Sequence, residues 1–185
     1  RSLVGSEMCI RDRPTFVLVV ICLIISALLA LTYNLAGVAE LANAGYSAEQ
    51  LAEFASTALP EADELKKVDV SLEDEDFHSV YKAQNGTGMA IVVTTKGYNE
   101  LTVMYGFDNG GVLRGVHVIA QEETPGIGDK VVKDTDYLSC FGGQTADSFT
   151  VDVVAGASKT SNGLINGAKR AFELFEELKG EVLGQ

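Results

Sequence analysis

Between Pro14 and Ala39 the sequence contains no charged residue, and within that stretch Phe16 to Leu31 is apolar at every position except Ser26. A run of roughly 18 or more such residues is long enough to cross a bilayer as a helix. The run predicts a transmembrane helix over residues 14–36, with Thr32 and Tyr33 suited to the far interface. The alternative is a cleaved signal peptide, because Arg11 and Arg13 form a basic segment and Gly37-Val38-Ala39 offers small residues for cleavage. The apolar run exceeds the roughly 7 to 15 residues of a signal sequence, which favours an uncleaved anchor. Arg11 and Arg13 precede it and Glu40 is the first charge after it. The positive-inside bias therefore predicts a single-pass protein of the cell inner membrane, its N-terminus cytoplasmic and its main domain extracytoplasmic or periplasmic. Residues 1–13 lack apolar periodicity, resemble a translated cloning or sequencing scar, and are set aside from the fold.

With Arg1, Arg11 and Arg13 set against Glu7 and Asp12, the chain beyond the span carries 11 basic and 24 acidic residues, a net charge of −13. That balance argues against nucleic acid as a partner, since phosphate neutralisation needs a basic face. It also argues against a domain held to anionic lipid by charge. Cys140 is the one cysteine beyond the span, so no disulfide within the domain and no cysteine cluster for zinc or iron–sulfur is expected. His78 and His117 are far apart in sequence and read as ordinary structural or surface histidines, so no metal site is expected.

Residues 37–76 read as a helical linker region. Within it Ser47 is an N-cap candidate with Gln50 at the capping-box position, and Leu51, Phe54, Ala55 and Ala58 recur at helical spacing before Pro60. Glu61 to Asp76 is acidic and reads as a solvated loop. From Phe77 the pattern turns to strands separated by glycines: Ser79–Ala83, Met89–Thr95, Leu101–Phe107, Val112–Ile119 and Phe149–Val154, with turns at Asn85–Gly88 and Asp108–Gly111. A Gly/Pro loop at Glu122–Gly128 and a short helical piece ending near Cys140 come next. Leu164, Ile165, Ala168, Ala171, Phe172, Phe175 and Leu178 then form the apolar stripe of a helix packed on a sheet. Strands in the middle and helices at both ends predict an α+β domain over residues 77–180, with an antiparallel sheet and packed helices.

Val151 to Gly163 runs through a small-residue turn into that last helix. Gly156 and Ala157 allow a tight bend, and the first-turn amides with the positive end of the macrodipole make a ready anion site. Ser158, Thr160 and Ser161 add hydroxyls there. On physics alone this remains open between a phosphate-binding turn and a plain N-cap before a helix. Likewise Glu123-Thr124-Pro125-Gly126 reads either as a rigid wall beside a planar ring or as an ordinary turn.

Asp152-x-x-Ala155-Gly156-Ala157-Ser158-Lys159-Thr160-Ser161 resembles the flavinylation motif of the FMN-binding domain in the G subunit of the Rnf electron-transport complex, itself similar to the C subunit of the sodium-pumping NADH:quinone reductase. Lys96-Gly97-Tyr98, Gly115-Val-His-Val-Ile119, Glu122-Glu-Thr-Pro-Gly-Ile-Gly-Asp-Lys130 and Phe141-Gly142 resemble further elements of the same family, in order. The resemblance covers roughly residues 14 to 180 and implies FMN joined through its phosphate to the hydroxyl of Thr160 by a flavin transferase. It implies contacts to the flavin from Glu123, Thr124 and Gly126, and to its phosphate from Gly156, Ala157 and Ser158, with Ser161 beside them. Lys159 reads either as a phosphate neutraliser or as a solvent-facing lysine. Two positions depart from the family pattern: Ala155 stands where Ser or Thr is usual, and Gln121 where His is frequent.

The function implied is a membrane-anchored electron carrier, a redox subunit rather than a complete enzyme, whose partners are the other membrane and redox subunits of an Rnf-type complex. Such a complex couples ferredoxin and NAD redox chemistry to ion translocation. The C subunit of a sodium-translocating NADH:quinone reductase, or a stand-alone extracytoplasmic flavoprotein, is the neighbouring alternative. From a different class, a tethered non-redox binding domain with Thr160 as a mere N-cap remains.

Overall fold

The computed structural model describes residues 17–26, 28, 46–72 and 74–184. The chain divides into two compact units, Arg1–Gly45 and Tyr46–Gln185. In the first, residues 17–26 are helical with their large apolar side chains exposed. Among the described residues no helix is long and apolar enough to cross a membrane. The predicted span over 14–36 lies partly outside the described residues, and the tail of residues 1–13 wholly outside them.

The second unit is built on five antiparallel strands in the order β1-β2-β3-β4-β5: Leu65–Val68, Phe77–Ala83, Gly88–Lys96, Glu100–Asp108 and Leu113–Gln121. Each strand pairs with its sequence neighbour, so the sheet is a simple meander. Helix α1, Ala48–Ala58, begins with the capping box: Ser47 Oγ accepts from the Gln50 amide, and Gln50 Oε1 from the Ser47 amide. Two short helices come after β5, α2 at Gly128–Lys133 and α3 at Thr135–Ser139, and the long α4 spans Ser158–Leu183.

Period-two alternation along the strands divides the interior into two cores. Met89, Ile91, Val93, Leu101, Val103, Tyr105 and Phe107 point to one face, where they meet Leu164, Ala168, Ala171, Phe172, Phe175 and Leu178 of α4. Ala90, Val92 and Met104 point to the other, under Leu51, Phe54, Ala55 and Ala58 of α1. A strand covered on both faces reads as a continuous apolar run, and β3 is buried from Gly88 through Val93. Complete burial of each Leu, Ile or Phe in these layers contributes about 1.5–3 kcal/mol. The C-terminal end of α1 rests directly on the sheet where the paired Gly106 and Gly115 leave room. A Cβ at either would come within 2.1 Å of a carbonyl oxygen, of Ala58 and Thr57 respectively.

Two expectations are corrected. The acidic stretch Glu61–Asp76 contains β1, a short edge strand carrying Lys66 and Lys67, with Leu65 buried at its start. Lys66 sits opposite Lys82, a like-charged pairing that gives no sequence signal for a strand. In the same stretch Asp74 pairs with Arg170 of α4, and that guanidinium holds its carboxyl below the usual carboxylate range. Conversely, Phe149–Val154 is not a strand. Its polar groups are taken by side chains: Gln144 accepts from the Thr150 amide at 2.7 Å and donates to the Thr150 carbonyl at 3.1 Å. Tyr137 Oη donates to the Asp152 carbonyl, and Ser161 Oγ accepts from the Val154 amide. With those groups satisfied, the segment needs no ladder.

Candidate functional site

The meander brings three segments to one end of the sheet: the β3–β4 turn at residues 97–99, the chain leaving β5 at residues 122–127, and the start of α4. The register Leu101↔Gln121 sets the first two side by side. Gly163 lets α4 press onto the turn, since a Cβ there would lie 2.9 Å from Gly97 Cα. Thr95 Oγ1 ties the helix down by donating to the Gly163 carbonyl at 3.0 Å.

Thr160 and Glu123, 37 residues apart, meet at this junction. Thr160 Oγ1 donates to Glu123 Oε2 at 2.7 Å, with the two residues only 2% and 5% exposed. The other carboxylate oxygen, Oε1, accepts from the backbone amides of Tyr98 and Asn99 at 3.0 and 3.1 Å. The Glu123 amide donates to Gln121 Oε1 at 2.7 Å, so Gln121 braces the loop that carries the carboxylate. Asn99 Nδ2 donates to the Glu122 carbonyl and fastens the same loop to the turn. Glycines allow the close fit. A Cβ on Gly128 would fall 2.4 Å from Glu123 Oε2 and 2.5 Å from Thr160 Oγ1, and one on Gly97 would fall 2.5 Å from Glu123 Oε1.

Helix α4 starts at Ser158 with Ala157 in the N-cap position and no side-chain cap. Thr160 is therefore inside the first turn, and its hydroxyl points to Glu123 rather than back to a helix amide. That removes the reading of Thr160 as an N-cap. The first α4 turn bond runs from the Ser161 amide to the Ala157 carbonyl at 3.0 Å, so the amides of Ser158, Lys159 and Thr160 precede the ladder. No acidic side chain occupies that turn to offset the positive end of the dipole.

A cavity of about 510 Å³ opens over this junction. Its walls are Glu123, Thr124 and Ile127 from the β5–α2 loop, Gly128 at the start of α2, Gly156 to Thr160 from the α4 entry, and Tyr98 from the turn. An adjoining hollow shares Ile127, Gly156 and Ala157 and adds Gly126, Ala155 and Val154. Gly156 adopts φ +87° and Gly126 φ +79°, left-handed values that the two bends require. Of the residues expected from sequence, Glu123, Thr124, Gly156, Ala157, Ser158 and Thr160 share the main cavity, while Gly126 belongs to the neighbouring hollow. Ser161 lines neither: its hydroxyl is fully buried and donates to the Ala157 carbonyl. Tyr98, Ile127 and Gly128 are additional walls. Tyr98 is 60% exposed, and Lys159 Nζ lies 5.1 Å from its ring centroid. A tyrosine and an isoleucine standing out of the surface at a cavity mouth are the signal that points to these two.

The cavity combines apolar walls, helix-start amides and the hydroxyls of Thr124, Ser158 and Thr160, a donor set suited to a planar aromatic ligand bearing a phosphate. Its volume lies within the roughly 300–1,000 Å³ of small-molecule sites. His78 and His117 are elsewhere: Tyr46, which precedes α1, stacks on His78, and Phe54 of α1 on His117. Among the described residues no group of three or more His, Cys, Asp or Glu is placed to hold a metal.

Residues 97–173 match the FMN-binding domain family. The chain is similar to the G subunit of an ion-translocating oxidoreductase complex from Shewanella piezotolerans, 28% identical and covering 65% of this chain and 68% of that protein. It is also similar to the G subunit of the ion-translocating oxidoreductase complex of Vibrio cholerae, 29% identical, covering 59% of this chain and 60% of that protein, less than two thirds of its length. Among solved structures, that of Shewanella oneidensis NqrC aligns with a TM-score of 0.48 at 19% identity, covering 76% of each chain. The cavity and the Thr160–Glu123 pair all lie within residues 97–173, the region that is similar to the FMN-binding domain family.

Proposed function

We propose that this chain is a membrane-anchored electron carrier of an Rnf-type ion-translocating oxidoreductase, with FMN esterified through its phosphate to Thr160. The observation that carries the reading is Thr160 itself: a hydroxyl at the floor of the cavity, in the first turn of α4, inside the FMN-binding domain. The names of the two relatives support the assignment to an ion-translocating complex. The apolar run from Phe16 to Leu31 supports a single-pass anchor with the FMN domain on the extracytoplasmic side.

FMN supplies reversible electron transfer when bound. The chain's own residues hold and orient it. The amides of Ser158, Lys159 and Thr160, at the positive end of α4, would hold the phosphate. Tyr98 and Ile127 offer apolar surface to a ring at the mouth, and Thr124 and Gly156 complete the walls. Other redox subunits would deliver and collect electrons, and a flavin transferase would attach the cofactor.

Coexpression of the full chain with a flavin transferase tests the reading. The denatured band should fluoresce as a flavin and carry one FMN on Thr160 by peptide mass. Thr160→Val, which lacks the acceptor oxygen, should be dark. A dark wild-type band, or a Thr160→Val band as bright as wild type, would overturn the assignment.

A further inference from the structure

Building on the assignment of Thr160 as acceptor, we propose that Glu123 is the proton acceptor for its own protein's flavinylation: the domain carries the base that activates the Thr160 hydroxyl. An alcohol needs such help, because it is a weak nucleophile until a positioned base takes its proton. Glu123 meets the geometric requirement, with Oε2 at 2.7 Å from Thr160 Oγ1 and within the roughly 2.6–3.2 Å reach of a general base. Because Thr160 donates its hydrogen to the carboxylate, the lone pairs of Oγ1 remain available for attack. The carboxylate is fixed from behind by the Tyr98 and Asn99 amides, and Gly128 and Gly97 leave space for nothing else around it. No histidine is in the cavity wall.

The step balances with a flavin dinucleotide, a phosphoanhydride, as donor. Thr160 Oγ1 forms a bond to the flavin-side phosphorus, the anhydride P–O bond breaks, and its electron pair leaves with the nucleoside monophosphate. The hydroxyl proton passes to Glu123 Oε2 and from there to the leaving group or water. Nothing is oxidised or reduced.

The test uses the full chain in detergent, purified without cofactor and mixed with flavin transferase, magnesium and flavin dinucleotide, with single-turnover attachment followed by intact mass. In Glu123→Gln the amide oxygen still accepts from Tyr98 and Asn99, but the NH₂ group cannot take a proton from Thr160. The variant should melt near the wild-type temperature and be labelled about 10²–10⁴-fold more slowly, the usual contribution of a general base. Glu123→Asp keeps a carboxylate, set back by one methylene, and should be labelled at least about tenfold faster than Glu123→Gln. Labelling of Glu123→Gln within about threefold of wild type, or equal slowing of the Gln and Asp variants, overturns the proposal; should Glu123→Gln not fold, labelling of Glu123→Ala within about threefold of wild type does so. These results are distinct from failure of the acceptor assignment, in which wild type takes no label or Thr160→Val takes as much.

Discussion

At the scale of single residues, the site depends on atoms that are missing as much as on those present. Gly128 stands against both members of the Thr160–Glu123 pair, so the methyl of alanine has no space without moving a carboxylate that two backbone amides hold in place. Gly128→Ala should lower stability by about 1–3 kcal/mol, the usual cost of overpacking, and reduce flavin attachment to Thr160. Urea denaturation and in-gel flavin fluorescence would check the two effects. An unchanged denaturation midpoint would contradict the close fit. Gly156 differs in kind, because a Cβ there meets nothing within 4 Å and the constraint is its φ of +87°. Tyr105 shows the same economy inside the core: its hydroxyl is buried and donates to the Leu164 carbonyl at 2.8 Å, and burial pushes its titration well above the ordinary tyrosine value.

Among the elements, α1 and α4 cover opposite faces of the sheet, and a half-buried histidine lies under α1. The α4 side is a continuous apolar layer. On the α1 side, His117 of β5 packs against the Phe54 ring at 4.8 Å, and its Nδ1 is 2.7 Å from Thr57 Oγ1. Burial pushes the His117 pKa below the ordinary histidine value, only partly opposed by the Glu53 carboxylate. The folded state therefore favours the neutral ring, and the unfolded chain binds the extra proton first as pH falls. The stabilising contribution is present above about pH 6.5, the unperturbed value, and is lost as pH drops through and below it. Comparing urea midpoints of wild type and His117→Asn at pH 7.5 and 5.5 should show a larger acid-induced loss in wild type. Equal losses would exclude this role for His117. Hydrogen exchange should place the loosening in α1 rather than α4.

The elements were unequally legible in the sequence. Helix α1, with its capping box, and α4, with its apolar stripe, follow from local rules, because capping and 3.6-residue periodicity act within one segment. The four longer strands and both glycine turns were legible for the same reason. Strand β1 was not, since its four residues contain two lysines and its place depends on pairing with β2. Phe149–Val154 has strand-like composition, but Gln144, Tyr137 and Ser161 satisfy its backbone from outside, and no periodicity records that.

On the scale of the molecule, the unit Tyr46–Gln185 contains both apolar cores and the entire cavity. A chain starting at Tyr46 should therefore unfold in one cooperative transition by circular dichroism and accept FMN on Thr160 in solution. The full chain, with its apolar N-terminal run, should sediment with membranes and need detergent for release. A full-length chain that remains in the soluble fraction would contradict the anchor. The strong acidity of the domain serves solubility and equally suits docking on a basic partner surface, a contact that added salt would weaken by screening.

The sequence by itself determined the apolar run, the acidic character of the residues beyond it, the α+β order of elements and the hydroxyl at position 160, because each is a property of composition or of short-range spacing. Only the tertiary structure decided what Thr160 touches. Glu123 lies 37 residues away, and the meander, the glycine contact between Gly97 and Gly163 and the Gln121 brace together bring its carboxylate to 2.7 Å from the Thr160 hydroxyl. A hydrogen bond between distant segments depends on packing that no local pattern encodes, so the residue read from sequence as a wall beside a planar ring emerged as the hydrogen-bond partner of the Thr160 hydroxyl.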